Sequence, residues 1–91
     1  MGNSLKSWNR LRGQTLAGCM KIVRGLTREA AAELVEEKMP DEEYDAATEL
    51  LDRIGAWHQP NRLEAQIAYG PGSGATKGAL VAAAIVMKSL E

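Results

Sequence analysis

The chain has a single cysteine and a single histidine in its 91 residues. One cysteine excludes a disulfide framework within the chain, and the pair is too few for a zinc site built from Cys and His alone. Long apolar runs are also missing. The longest, Ala79 to Met87, falls far short of the ~20 residues that a membrane-spanning helix needs. No internal repeat or low-complexity tract is present. The third scarcity is local: the first 28 residues contain no acid at all.

What is present is ordinary globular composition, 45% hydrophobic and 25% charged, which argues against disorder. The length suits one small domain, since domains commonly run to roughly 100–150 residues. A chain this short buries only about 60% of its unfolded surface, so its core is thin and a second subunit is a real option.

The net charge of −1 hides a strong asymmetry. Lys6, Arg10, Arg12, Lys21, Arg24 and Arg28 make the first segment purely basic. From Glu29 to Ile54 there are ten acids against Lys38 and Arg53. Such segregation suggests a charged partner, or two parts of the molecule that face each other.

An acid-free, Arg-containing start has the composition of a targeting segment. Trp8, Leu11, Ile22 and Val23 instead give it the apolar side of a core helix. Met1-Gly2-Asn3-Ser4-Leu5-Lys6 departs from an N-myristoylation signal at Lys6. No unbroken apolar stretch suits a secretory signal. The expected location is the cytoplasm.

The periodicity is helical. On a wheel of about 100° per residue, Leu5, Trp8, Leu11, Leu16, Cys19, Ile22, Val23 and Leu26 share one broad face. Lys6, Arg10, Lys21 and Arg24 fall within an arc of about 60° on the other side, with Gly13-Gln14-Thr15 as a potential break. Arg12 falls among the apolar positions, where its stem packs and its head reaches water. Gly25 is a natural stop, Thr27 a natural cap, and Pro40 ends the second helix and opens the third. Asp41, Glu42 and Glu43 suit the dipole of that third helix. Tyr44, Ala47, Leu50, Leu51, Ile54 and Trp57 supply its apolar stripe. Residues 61–69 alternate like a strand, but Asn61 with Glu64 forms a capping pattern and no second strand exists to pair with, so helix is favoured. The last helix, about Thr76 to Leu90, is apolar on every side in its middle and must be covered all round. Ala75, Ala79 and Ala83, spaced by four, would let another helix backbone approach.

The expected architecture is all-α: a small bundle of four to five helices over residues 1–91, as a single domain. The first and last helices should supply most of the core. The last is either wrapped by the others or shared with a second copy in a homodimer.

Few patterns carry chemistry. GPGSGATKG resembles a phosphate-binding loop, but Thr76-Lys77-Gly78 reverses the required Gly-Lys-Ser/Thr order. A capping loop is the better reading. Leu26 to Val35 resembles the first helix of a helix-turn-helix, yet the following helix carries Asp41, Glu42, Glu43, Asp45, Glu49 and Asp52 and would be repelled from DNA. His58 lacks a nearby nucleophile with an orienting partner, and Cys19 lies on an apolar face. No enzyme activity, cofactor or metal is expected.

Two charged faces remain. The basic one, Lys6, Arg10, Lys21 and Arg24, suits anionic lipid, nucleic acid phosphate or an acidic protein, with Trp8 as an interface anchor or a stacking ring. The acidic one, Glu42, Asp45, Glu49 and Asp52, can imitate spaced phosphates and suits a basic protein surface. The expected function is a non-catalytic small intracellular regulator or adaptor, inhibitor-like in one form, that binds another protein through a charged helical surface. The alternative is a nucleic-acid-binding or anionic-membrane-surface module that uses the basic N-terminal helix.

Overall fold

The computed structural model describes residues 4–91, with side chains from Trp8 onward apart from Ser73. The side chains of Leu5 and Lys6 therefore lie outside the described part. The chain forms helices α1 (Ser4–Arg12), α2 (Leu16–Arg24), α3 (Arg28–Glu33), α4 (Asp41–Ile54), α5 (Asn61–Tyr69) and α6 (Lys77–Ser89). A π-type turn, Leu34–Lys38, extends α3, and a 3-10 turn, Gly70–Ser73, follows α5. The described residues contain no strand, so the all-α expectation holds.

The sixth helix arises because the first segment divides at Gly13–Thr15. Thr15 adopts an extended conformation (φ −63°, ψ 160°), and its Oγ1 accepts from the Gly18 N–H at 3.1 Å. That cap starts a new helix, so the basic residues sit on two helices and not on one continuous N-terminal helix. Thr27 caps α3 in the same way, accepting from Ala30 N–H at 3.0 Å. Pro40 forces Met39 out of helical geometry (ψ 126°), and the preceding turn widens so that Met39 N–H reaches Leu34 C=O at 2.7 Å. The Pro40 carbonyl then accepts from both Glu43 and Tyr44 N–H to begin α4.

At its other end α4 stops in a Schellman motif. Ala56 N–H donates to Leu51 C=O and Gly55 N–H to Asp52 C=O, with Gly55 left-handed at φ 72°. A Cβ there meets nothing closer than Arg62 Cδ at 3.8 Å. Gly55→Ala is therefore a pure backbone test, expected to cost about 1–2 kcal/mol in urea unfolding. Gly55→Asn should cost less, because asparagine visits this region more readily.

α5 is a helix, but its expected cap is not made. Asn61 carries no capping bond; the Gln59 and Pro60 carbonyls receive Arg62 and Leu63 N–H instead. Leu63 is buried and Ile67 half-buried, one helical turn apart, while Ala65 and Tyr69 face water.

α6 runs through the middle. Thr76 caps it, accepting from Ala79 N–H at 3.1 Å. Leu80, Val81, Ala82, Ala83 and Ile85 are wholly buried, and α2, α3, α4 and α5 all pack on it. Within one chain α6 is thus wrapped by the other helices. The most extensive contact on α6 comes from α4, while most of the buried apolar residues come, as expected, from the first segment (Trp8, Leu11, Cys19, Met20, Val23) and from α6 itself. Ala47, Leu50 and Leu51 of α4 are buried, and so are Ala75, Ala79 and Ala83. The Glu43 carboxylate of α4 lies over the first turn of α6, where a Cβ on Gly78 would stand 2.8 Å from its Oε2.

One further residue departs from expectation, and one is decided between the two roles open to it. Ile22, read as core, is 44% exposed, and Met20 is buried instead. Trp8 is fully buried, so it cannot serve as a lipid anchor or a stacking ring without unfolding α1.

Candidate functional site

The acidic residues form the most ordered surface feature. Opposite the buried Leu50 and Leu51, the side chains of Glu42, Asp45, Glu49 and Asp52 project from α4 within an arc of about 80°. All are exposed. Among the described residues none of them has an ion-pair partner; Asp52 Oδ1 accepts the Trp57 indole N–H. Glu43, which points sideways toward α6, is the acid of this helix that is neutralised. Arg12 Nη1 holds its Oε1 at 2.9 Å. That pair also corrects Arg12, whose head meets Glu43 rather than water alone. The other pairs are local: Arg28–Glu29, Lys38–Glu33 and Lys88–Glu91. Exposed pairs of this kind contribute about 0–1 kcal/mol each, so they do little to hold the fold.

The basic residues are more dispersed. Arg10 lies on α1, and Lys21 and Arg24 on α2; all are exposed, with no ion pair among the described residues. Arg24 edges a groove of about 420 Å³ between α2, α5 and α6, with Met20, Leu63, Ile67 and Met87.

The Gly-rich stretch is a capping loop. Gly74 is left-handed (φ 97°), Thr76 Oγ1 is occupied by Ala79 N–H, and Lys77 Nζ donates to Gln14 C=O at 2.7 Å. Lys77 therefore closes the turn between α1 and α2. Cys19 sits beside it, buried, with its Sγ donating to Leu11 C=O at 3.0 Å. Burial pushes the thiol up from its ordinary value, partly offset by the Lys77 charge and by backbone hydrogen bonds. Since the thiolate is the reactive form, iodoacetamide should label Cys19 slower in the native protein than in urea, by roughly tenfold or more. Mass spectrometry of timed samples would read this, and equal rates would refute it. His58 is exposed in the turn after α4.

One feature was not visible in the residues taken singly. Tyr44 and Trp57, assigned to the apolar stripe of α4, are 40% and 36% exposed. With Val35, Met39, Val86 and Leu90 they line a groove of about 710 Å³ between the π-type turn, α4 and the end of α6. The available signal was Gly55: a left-handed residue there turns the chain, so Trp57 cannot continue the stripe that ends at Ile54.

No helix among the described residues is long and apolar enough to cross a membrane. Comparison with protein-family models, with curated proteins and with solved structures gave no match, so the functional reading rests on these residues themselves.

Proposed function

We propose that the protein is a non-catalytic binding domain, a small regulator or adaptor, that engages another protein through the exposed acidic stripe of α4. One observation carries this: Glu42, Asp45 and Glu49 are aligned, solvent-facing and unpaired among the described residues. Like charges at helical spacing are a burden. Each such pair, as in Asp45 with Glu49 or Glu49 with Asp52, costs about 0.2–0.5 kcal/mol.

The sign of that burden gives a clean test. Asp45→Asn, Glu49→Gln and Asp52→Asn together remove the repulsion and leave Glu42 near the helix start, where the dipole favours it. The amide introduced at position 52 keeps an acceptor for the Trp57 N–H. Glu49→Gln also gives up the attraction of Arg53 four residues on, so the triple variant is expected to stay within about 1 kcal/mol of the native stability in urea unfolding. Loss of binding in this variant would then not reflect unfolding. Immobilised native protein should retain, from an extract of its own source, at least one protein that the triple variant loses. Identical retention by both, or retention of nucleic acid alone, would overturn the proposal.

The basic residues support a second reading, nucleic acid or anionic lipid on Arg10, Lys21 and Arg24, because these cations are exposed without ion pairs among the described residues. It is the weaker one, since they lie on separate helices and Trp8 is buried. Phosphate binding would fall steeply between about 50 and 200 mM salt. Fluorescence anisotropy with labelled oligonucleotides separates the two readings.

A further inference from the structure

We propose that the groove between the π-type turn, α4 and the end of α6 is the seat for a basic amphipathic helix of a partner protein. This rests on the reading of the acidic stripe as partner-facing, and it names where the partner's apolar side goes.

The groove has an apolar floor and raised walls. Met39 and Val86 are buried, while Tyr44, Trp57 and Leu90 stand 40%, 36% and 63% exposed around them. Tyrosine and tryptophan are the residues that most often dominate binding energy at interfaces. Trp57 is held in place, since its indole N–H donates to Asp52. A small-molecule site encloses most of its ligand's surface, and these open walls do not. The described residues offer no sheet edge for an added strand, and the aliphatic floor of the groove suits a helix laid in it. Aliphatic Val35, Met39 and Val86 suit the leucine-type anchors of such a helix.

Acids outnumber bases around the groove. Glu36 and Asp41 stand on its edges, and Asp45 and Asp52 continue from Asp41 within about 40° on α4. The opposing cation, Arg28, lies 3.3 Å from Glu29 and is partly spent there. A partner that is apolar on one face and rich in lysine or arginine beside it satisfies both halves of this surface at once. An acidic or neutral partner satisfies only the floor.

The probe is a synthetic leucine–lysine amphipathic peptide of about 14 residues, some 21 Å long as a helix. It is titrated into the nitrogen-labelled full chain and followed by amide and indole resonances. Saturable shifts are expected at Val35, Tyr44, Leu90 and the Trp57 indole, with none at Leu63 and Ile67 in the other groove. A leucine–glutamate peptide of the same pattern, and a scrambled leucine–lysine peptide, should bind at least about tenfold more weakly. Leu90→Ser should weaken binding by about tenfold or more, and its exposed position beyond α6 leaves the fold intact. Shifts centred on the other groove would overturn the proposal. So would a dimer of the free protein that Leu90→Ser dissolves, which would make the occupant a second copy. Affinity that ignores Leu90→Ser but falls in the Asp45, Glu49, Asp52 triple variant would remove the groove and keep the stripe. Affinity that ignores both would remove both.

Discussion

Replacing Trp8 with alanine is expected to cost about 3–5 kcal/mol, the largest loss from any single truncation proposed for this chain. A protein of this length has roughly 5–14 kcal/mol in total, so the variant would stand near the edge of folding. The physical reason is how little else holds α1. It is nine residues long, with no acid in its first turn, and an isolated helix of that length is marginal in water. Its hold on the molecule comes from burying Trp8 and Leu11, 0% and 7% exposed, against its neighbours α2, α6 and the π-type turn. Trp8 also buries a hydrogen-bond donor. Its Nε1 is buried and has no hydrogen-bond partner among the described residues. An unsatisfied buried donor costs about 1–3 kcal/mol, which offsets part of what the ring contributes. Trp8→Phe removes that donor along with some apolar area, so the two changes nearly cancel and the net effect should stay within about 1 kcal/mol. Urea unfolding followed by circular dichroism would measure both variants. Hydrogen exchange should show α1 losing protection first in Trp8→Ala. A Trp8→Ala midpoint close to the native one would show that α1 is not held by its tryptophan.

The elements that could be read from the residues are those whose ends carry their own chemistry. Pro40 followed by three acids, and a glycine at position 55, delimit α4 without any knowledge of its neighbours. Thr76 does the same for α6, and the exposure of Asp45 and Glu49 follows from lying opposite Leu50 and Leu51. The first segment was harder because its apolar phase continues across Gly13–Thr15. A wheel drawn through a break still looks like a helix, yet the Thr15 cap resets which side faces inward, and Met20 takes the place expected for Ile22. Trp8 illustrates the limit more sharply. Its phase with Leu11 marks it for the core and its basic neighbours suit an interface anchor, and only the closure of α1 onto distant parts of the chain decides for the core. The groove was hidden for a related reason. Tyr44 continues the phase of Ala47 and Leu51, so periodicity assigns it to the interior. How much of an apolar stripe is covered depends on where α6 ends, and Leu90, 63% exposed, lies just past that end.

That dependence on α6 leads to the second large effect. Ala83→Leu is expected to destabilise by about 1–3 kcal/mol, while Ala84→Leu should be neutral or slightly stabilising. Both positions lie in a stretch that is apolar on every side, and sequence alone left two ways to cover it, by the chain itself or by a second copy. Ala83 is fully buried, so added methylenes there must displace packed neighbours. Ala84 is only half-buried and borders the groove of about 420 Å³ with Met20 and Met87, which has room for a larger side chain. Filling it gains roughly 0.8 kcal/mol per buried CH₂, before the entropy of ordering the new side chain is subtracted. Intramolecular wrapping further requires unfolding midpoints that do not move with protein concentration, whereas a shared α6 would make them rise with it. The two variants and the native chain, unfolded in urea at two widely separated concentrations, would decide the matter. Equal tolerance at both positions together with concentration-dependent midpoints would mean that α6 is covered from outside.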